Sequence, residues 1–321
     1  MNFKELVLEE ILSSCPKQLC CVRAFLSALL KSSGSVELTK RGMNCTLTLF
    51  LSEAVERVSG LIKETYLTDV EIEKGKVKSG VKCGENYFTV KIPQGISRDV
   101  LSECGLMQLD GDSFSSFVRG VPDEIVKSPC CAKEYLKGLF VGAGSVYVPS
   151  TAESGHSGYH VEYQLSDEAE ADGVLELLKR FALNFKKSER GNNFLVYAKD
   201  KNIILDFFRV LKLTEASLEL EKIIADRDMN NSINRNVICE AANLDKTFAA
   251  AAKQIVAIEE LKNGIGLDNL PLGLKEAATA RLDNPTATLS ELSEILGISK
   301  SCLNHRLRKI METTEGENDG K

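Results

Sequence analysis

The 321-residue sequence has no tryptophan, only three histidines, and no run of eighteen apolar residues. A membrane-spanning helix needs about 20 consecutive, predominantly apolar residues, so none is expected. The N-terminus, MNFKELVLEEILSS, lacks the basic start, apolar run and small-residue cleavage site of a signal peptide. It reads as an acidic, amphipathic first helix over residues 2–13, and the expected location is cytoplasmic. Positive charge is also short: the formal net charge is −6. A protein that coats nucleic acid over its whole surface is more often basic, so any such binding must rest on locally concentrated charge. The ten cysteines include no C-x-x-C pair. Cys20-Cys21 and Cys130-Cys131 are adjacent pairs, without the spacing that zinc favours. The expectation is reduced thiols, no metal and no cofactor. His156 and His160 lie four apart and read as loop and strand residues rather than ligands.

What the sequence does contain is a repeat. Residues 21–36 read CVRAFLSALLKSSGSV and residues 131–146 read CAKEYLKGLFVGAGSV, offset by 110. Six of the sixteen aligned positions are identical: Cys21/Cys131, Leu26/Leu136, Leu29/Leu139, Gly34/Gly144, Ser35/Ser145 and Val36/Val146. Composition alone would give roughly one. Ala28 and Ser32, like Gly138 and Gly142, lie four apart and so share one helical face. Small side chains there let two helices approach below the usual axial separation of about 8–10 Å. Two copies are therefore expected to pack helix against helix about a pseudo-twofold axis. Gly34 and Gly144 are expected to end these helices in the left-handed cap conformation.

The flanks repeat as well. Extended stretches follow at 35–39 and 45–50 in copy one, and at 145–148 and 159–165 in copy two. LFLSEAVERVSGLIK (49–63) matches YQLSDEAEADGVLELLK (163–179). Two more strands (69–73 with 87–92; 184–187 with 194–198) and a closing helix (97–105; 200–211) complete each copy. The order is helix, two strands, helix, two strands, helix, with residues 111–126 as a connector.

That order and that motif resemble the LAGLIDADG homing endonucleases, in which two such helices form the interface and two four-stranded sheets form a saddle over DNA. The motif reads LSALLKSSG (26–34) and LKGLFVGAG (136–144). The family's metal-binding acid sits at the eighth motif position, which is Ser33 and Ala143 here. The sixth position, often acidic, is Lys31 and Val141. Mg²⁺ demands oxygen ligands, and phosphodiester hydrolysis needs it held at the scissile phosphate. Retained nuclease activity is therefore not expected. Glu37 lies near the first motif, but its counterpart is Tyr147.

The second signal is LSELSEILGISKSCLNHRLRKI (289–310). Thr288 is placed to cap a helix with Leu289, Leu292, Ile295 and Leu296 as its apolar face. Gly297 supplies a tight turn, and Ser299 caps a second helix that buries Leu303, Leu307 and Ile310. This is the pattern of a DNA-binding helix-turn-helix. Residues 286–310 hold four Lys/Arg and two Asp/Glu, a local excess of +2. Ser299, Lys300, Ser301, Asn304, His305, Arg306, Arg308 and Lys309 are the candidate DNA-binding residues. Lys300, Ser301 and Asn304, near the helix start, are the candidates for base readout. Arg306, Arg308 and Lys309 are the candidates for phosphate. The asparagine-rich stretch 229–245 reads as a capped turn between helices, with Arg235 a candidate phosphate contact. Lys40, Arg41, Lys186 and Lys187 are further candidates on the saddle, as are Lys74, Lys76, Lys78, Lys82 and Arg190.

Taken together, GISKSCLNHRLRKI (297–310), RLDNPTATLSEL (281–292), NRNVICEAAN (234–243) and LKGLFVGAGSV (136–146) resemble the WhiA family of bacterial regulators over essentially the whole chain. The expected fold is α+β: a duplicated, pseudo-twofold LAGLIDADG-type αββαββα domain followed by an all-α helix-turn-helix domain. The expected boundaries are 1–110 and 127–213 for the repeats, 214–228 for a helical linker, and 229–312 for the helical DNA-binding domain. Within the last, the helix-turn-helix falls at about 274–310, and 313–321 is an acidic tail. The resemblance implies a nucleoid-associated, double-stranded-DNA-binding transcription regulator with no enzymatic activity, tied to cell division, chromosome segregation and sporulation. A regulatory protein partner would dock on the saddle or the helical domain. The alternatives are an active LAGLIDADG endonuclease or a non-catalytic protein-interaction scaffold.

Overall fold

The computed structural model describes residues 2–14, 16–40, 42–78, 84–111, 113–149 and 158–318, with side chains to residue 313. Arg41, Lys82 and His156 lie outside the described residues. The chain forms two compact units, Met1–Arg227 and Asp228–Lys321.

In the first unit, helix α1 (Phe3–Ser13) is opened by a capping box between Asn2 and Glu5 and buries Val7, Leu8, Ile11 and Leu12. The two motif helices are α2 (Leu19–Ser33) and α5 (Pro129–Ala143). Copy one then runs β1 (Gly34–Thr39), β2 (Gly42–Leu49), α3 (Ser52–Tyr66), β3 (Glu71–Lys76), β4 (Asn86–Ile92) and α4 (Gln94–Glu103). Copy two runs β7 (Gly144–Tyr147), β8 (His160–Leu165), α6 (Glu168–Lys179), β9 (Lys186–Arg190), β10 (Asn193–Ala198) and α7 (Lys201–Val210). The two antiparallel sheets have the same strand order, β1-β2-β4-β3 and β7-β8-β10-β9. The duplication read from the sequence is thus a duplication of topology.

The close helix approach follows from the small residues. A Cβ on Gly138 would collide with the Phe25 carbonyl oxygen, and one on Gly142 with the Ser32 hydroxyl. Gly34 and Gly144 do end the helices, but not in the left-handed conformation. Their φ values are −88° and −85° with extended ψ. Here the chain passes straight from helix into strand, and a Cβ on Gly34 would strike the Leu30 carbonyl oxygen. Crowding, not a positive φ, requires glycine. One hydrophobic core spans both copies, from Val7 to Leu220. Within it the Tyr163 hydroxyl donates to the Leu136 carbonyl at 3.0 Å, tying β8 to the motif helix. The segment read as a plain connector contains structure: β5 (Met107–Asp110) pairs with β6 (Ser113–Phe117). Phe114 and Phe117 of β6 lie three apart, out of the period-two alternation that marks a strand.

The stretch after copy two also departs from the expectation. Residues 214–263 are one helix, α8 (Thr214–Asn263), rather than a linker, a turn and another helix. Asparagine has modest helix propensity, a weak prior that context overrides. At the start of α8 the Glu10 carboxylate accepts hydrogen bonds from the Glu215 and Ala216 amides at 3.0 and 2.9 Å, so an acid from α1 caps the first turn.

In the second unit, Ile258 and Leu261 of α8 join a core with α9 (Leu272–Asp283), α10 (Leu289–Ile295) and α11 (Lys300–Asn318). Leu292, Leu303, Leu307 and Ile310 are buried in it.

Candidate nucleic-acid interface

The geometry of α10 and α11 follows from three polar positions and one glycine. Thr288 opens α10 with a capping box: its hydroxyl accepts from the Glu291 amide, and its own amide donates to the Glu291 carboxylate at 2.7 Å. That bond holds the Glu291 carboxyl below its ordinary range. Gly297 has φ +62°, a conformation other residues adopt only with strain. The Ser299 hydroxyl accepts from the Cys302 amide at 3.2 Å, capping α11. Ile295, read as part of the apolar face, is 59 % exposed instead. α10 ends at this residue, so only Leu292, with Leu289 and Leu296, faces the core.

The entry to α10 is set by a residue that sequence reading passed over. Arg281 is 2 % exposed. It donates from Nε to Gln254 at 2.9 Å and from Nη1 to the Ala287 carbonyl at 2.5 Å. The guanidinium thus links α8 and α9 to the loop before α10. Its forked donors suit that role, but a lone Arg in a charged helix gives no sequence signal of burial.

On α11, Lys300, Ser301, Asn304, His305, Arg308 and Lys309 are exposed, with Ser299 just before them. Arg308 lies 3.2 Å from Glu312 one turn on. Arg306 is placed differently from the expectation that it meets phosphate. Its Nη1 donates to the Gly273 carbonyl at 3.1 Å and lies 3.4 Å from Glu276, so it packs on α9. Arg235 is exposed on α8.

The saddle has a different character. Alternation along β2, β4, β8 and β10 puts buried Leu47, Val90, Val161 and Val196 on the helix side. Register then places Glu37, Glu71, Glu73 and Lys91 on the outer face of sheet one, and Glu162, Lys186 and Arg190 on that of sheet two. Lys91 is paired with Glu73. Lys187, expected at phosphate, faces α6, where Glu168 (at 3.0 Å) and Asp172 engage it. Lys74 lies over the Phe88 ring on the helix side, and Lys76 shares its parity. Lys40 is exposed at the β1–β2 turn. Among the described residues the outer face carries mixed charge, with no basic stripe.

At the C-terminal ends of α2 and α5, where the fold's acids would stand, a cleft of about 720 Å³ is lined by Ser33, Ala143, Lys31, Glu162 and Glu170. The Lys31 ammonium donates to the Val118 carbonyl at 2.9 Å, just past strand β6. Glu170, from α6, is 3 % exposed, with one carboxylate oxygen unpartnered. Burial pushes its carboxyl up to about 7, partly opposed by the Lys31 charge. Burial lowers Lys31 in turn. The motif helices themselves present no carboxylate here.

A duplicated LAGLIDADG-type domain lacking its motif acids, followed by a helix-turn-helix domain, defines the class. The comparisons are specific. Models of the WhiA N-terminal LAGLIDADG-like domain, the WhiA LAGLIDADG-like domain and the WhiA C-terminal HTH domain match residues 19–107, 132–230 and 233–314. The "Probable cell division protein WhiA" of Alkaliphilus metalliredigens is 34 % identical over 94 % of this chain and 93 % of its own length. That of Lacticaseibacillus casei is 38 % identical over 92 % and 91 %. The crystal structure of full-length DUF199/WhiA from Thermotoga maritima covers 97 % of both chains at 25 % identity, with a TM-score of 0.58. The chain belongs to the WhiA family.

Proposed function

We propose that this protein is a sequence-specific, double-stranded-DNA-binding transcriptional regulator that has lost nuclease activity. The observation that carries this reading is the solvent face of α11, where Lys300, Ser301, Asn304, His305, Arg308 and Lys309 are all exposed on a capped helix. Asparagine can pair bidentately with adenine, and lysine and arginine neutralise phosphates. Lys300, Ser301 and Asn304 read bases, Arg308 and Lys309 meet the backbone, and Arg306 positions the helix from α9. Arg235 is a secondary phosphate contact, whereas Lys40 and Lys186, on the saddle, are not.

The loss of cleavage rests on Ser33 and Ala143 at the metal-binding positions and on the Lys31 ammonium beside them, which repels a divalent cation. The mixed outer face of the saddle favours a regulatory protein partner there over DNA. The names of the relatives support a role in cell division. The family resemblance extends it to chromosome segregation and, in sporulating bacteria, sporulation. The setting that fits is cytoplasmic and nucleoid-associated.

The test is genomic-DNA binding by the full chain across a salt series, with Lys300→Ala and Asn304→Ala, and with Mg²⁺ in a parallel set. Saturable binding that falls steeply with salt, weakens in both variants and leaves the DNA uncut is expected. Absence of binding at low salt, or Mg²⁺-dependent cutting, overturns the reading.

A further inference from the structure

The N-terminal ends of α2 and α5, opposite the cleft, hold the two adjacent-cysteine pairs. The pairs are 110 residues apart in sequence, and the pseudo-twofold axis brings them together. Cys21 and Cys131, equivalent positions of the duplication, have sulfurs 3.9 Å apart across the helix interface. The sulfurs of Cys20, Cys21 and Cys131 all lie within 4.8 Å of one another, and Cys130 is a side-chain hydrogen-bond neighbour of Cys21. Cys21 and Cys131 are buried; Cys20 and Cys130 are exposed. Among the described residues this is the one group of three or more His, Cys, Asp or Glu ligand atoms so arranged.

We propose that these four cysteines form a thiolate site for a soft divalent cation of the zinc class, clamping the two repeats at the pseudo-twofold axis. A tetrahedral zinc with Zn–S bonds of about 2.3 Å sets its sulfurs about 3.8 Å apart, close to the observed Cys21–Cys131 separation. Three sulfurs already converge. The fourth, Cys130, is exposed beside Cys131 and completes the set by a rotation about its χ1. The site is open to solvent on one side, which gives the ion an entry path. Neither Gln18 nor Ser128, the residues preceding the two helices, caps its helix with a side-chain hydrogen bond. No N-cap side chain therefore competes for the first-turn amides of either helix, and both positive helix ends favour thiolate.

Burial opposes ionisation at the inner positions: it pushes the Cys21 thiol up, and Cys131 up to about 11, whereas hydrogen bonding from Cys21 lowers exposed Cys130. A bound cation deprotonates a coordinating thiol outright, so binding releases protons and affinity rises with pH. The spacing rule fails here because it looks for two ligands within one segment. In this protein each half-site is one repeat, and the pair is made by the fold. The proposal stands apart from the DNA reading, since it uses neither α11 nor the saddle.

The test is Co²⁺ titration of the reduced, chelator-stripped full chain, followed by the thiolate-to-cobalt charge-transfer and tetrahedral ligand-field bands. Wild type is expected to saturate at one ion per chain, to lose the bands on adding Zn²⁺, and to melt at higher temperature with Zn²⁺ present. Cys20→Ser with Cys130→Ser changes only exposed positions. That double variant is expected to keep the metal-free melting temperature and lose the bands and the Zn²⁺ shift. Cys239→Ser with Cys302→Ser, elsewhere on the surface, is expected to retain both. No thiolate–cobalt bands in wild type, or unchanged bands in the Cys20/Cys130 variant, overturns the proposal. So does a Cys21–Cys131 disulfide that forms in air in a protein showing no metal binding.

Discussion

Two surfaces of this molecule have a claim on DNA, and they differ in how their charges are spent. The saddle inherits its shape from the LAGLIDADG architecture, yet its lysines are largely engaged: Lys187 by Glu168 and Asp172, Lys91 by Glu73, Lys74 by the Phe88 ring. Glu37, Glu71, Glu73 and Glu162 stand on the face that would meet phosphate. On α11 Lys300 and Lys309 are exposed, Arg308 is paired with Glu312 one turn on, and Glu291 of the preceding helix is engaged as a cap. A fold supplies a surface of the right curvature; the partners of each charge decide what that surface can bind.

The largest effect should come from the helix interface on which the saddle depends. Gly138→Val would drive a branched side chain into the Phe25 backbone, which cannot move aside as a flexible side chain could. Overpacking of this kind costs about 1–3 kcal/mol and occasionally more, and backbone collision puts this site at or above the upper end. The expected result is a first unit that unfolds at much lower temperature or fails to accumulate, seen by calorimetry. A variant as stable as wild type would mean the two motif helices are not in close register.

The comparison of surfaces is tested directly by charge removal. Lys300→Ala with Asn304→Ala should weaken binding to a specific duplex by about 1–3 kcal/mol for the lost base contact, with a further loss from the phosphate term. Lys40→Ala with Lys186→Ala should change the affinity by less than about threefold and leave the salt slope nearly unaltered. Fluorescence anisotropy on the same duplex checks both. Equal losses from the two pairs would return the saddle to the DNA interface.

The vestigial cleft offers a pH test. Glu170 has a folded-state pKa of about 7 against an ordinary 4.5, so the native state holds its proton more tightly than the unfolded one. The resulting stability is fully present below about pH 4.5 and is lost as pH rises through 7. Asp167 and Lys31 are the charges that act on it. Glu170→Gln should flatten the chemical-denaturation stability between pH 5 and 8, and should stabilise the protein at pH 8 by roughly 2–3 kcal/mol. An unchanged pH dependence would show that the carboxylate is hydrated.

Much of this was legible in the sequence, and the reasons for the gaps are physical. The repeat, the order of its elements and the cap–glycine–cap grammar around Gly297 depend on local backbone chemistry, which sequence records. The continuity of α8 was not legible, because the asparagines and the serine at 230–236 carry turn propensity that the helix overrides. Nor was the burial of Arg281, or the side of the sheet on which Lys187 lies, since a shift of one residue in strand register reverses it. The meeting of the cysteine pairs required the pseudo-twofold packing itself.

The smallest expected effect separates two arginines two residues apart on α11. Arg306 donates to the Gly273 carbonyl and sits beside Glu276, whereas Arg308 is paired only with exposed Glu312. Arg306→Ala removes a hydrogen bond made by a charged group and some packing on α9, so thermal stability of the second unit should fall by about 1–2 kcal/mol, with the DNA salt slope unchanged. Arg308→Ala should leave stability within about 0.5 kcal/mol and reduce the magnitude of the salt slope by about one. Thermal melts and a salt-series titration on the same two proteins distinguish the roles. If Arg306→Ala instead lowers the slope with no change in stability, that guanidinium leaves α9 to meet phosphate, and the division of α11 into a reading face and a packing face must be redrawn.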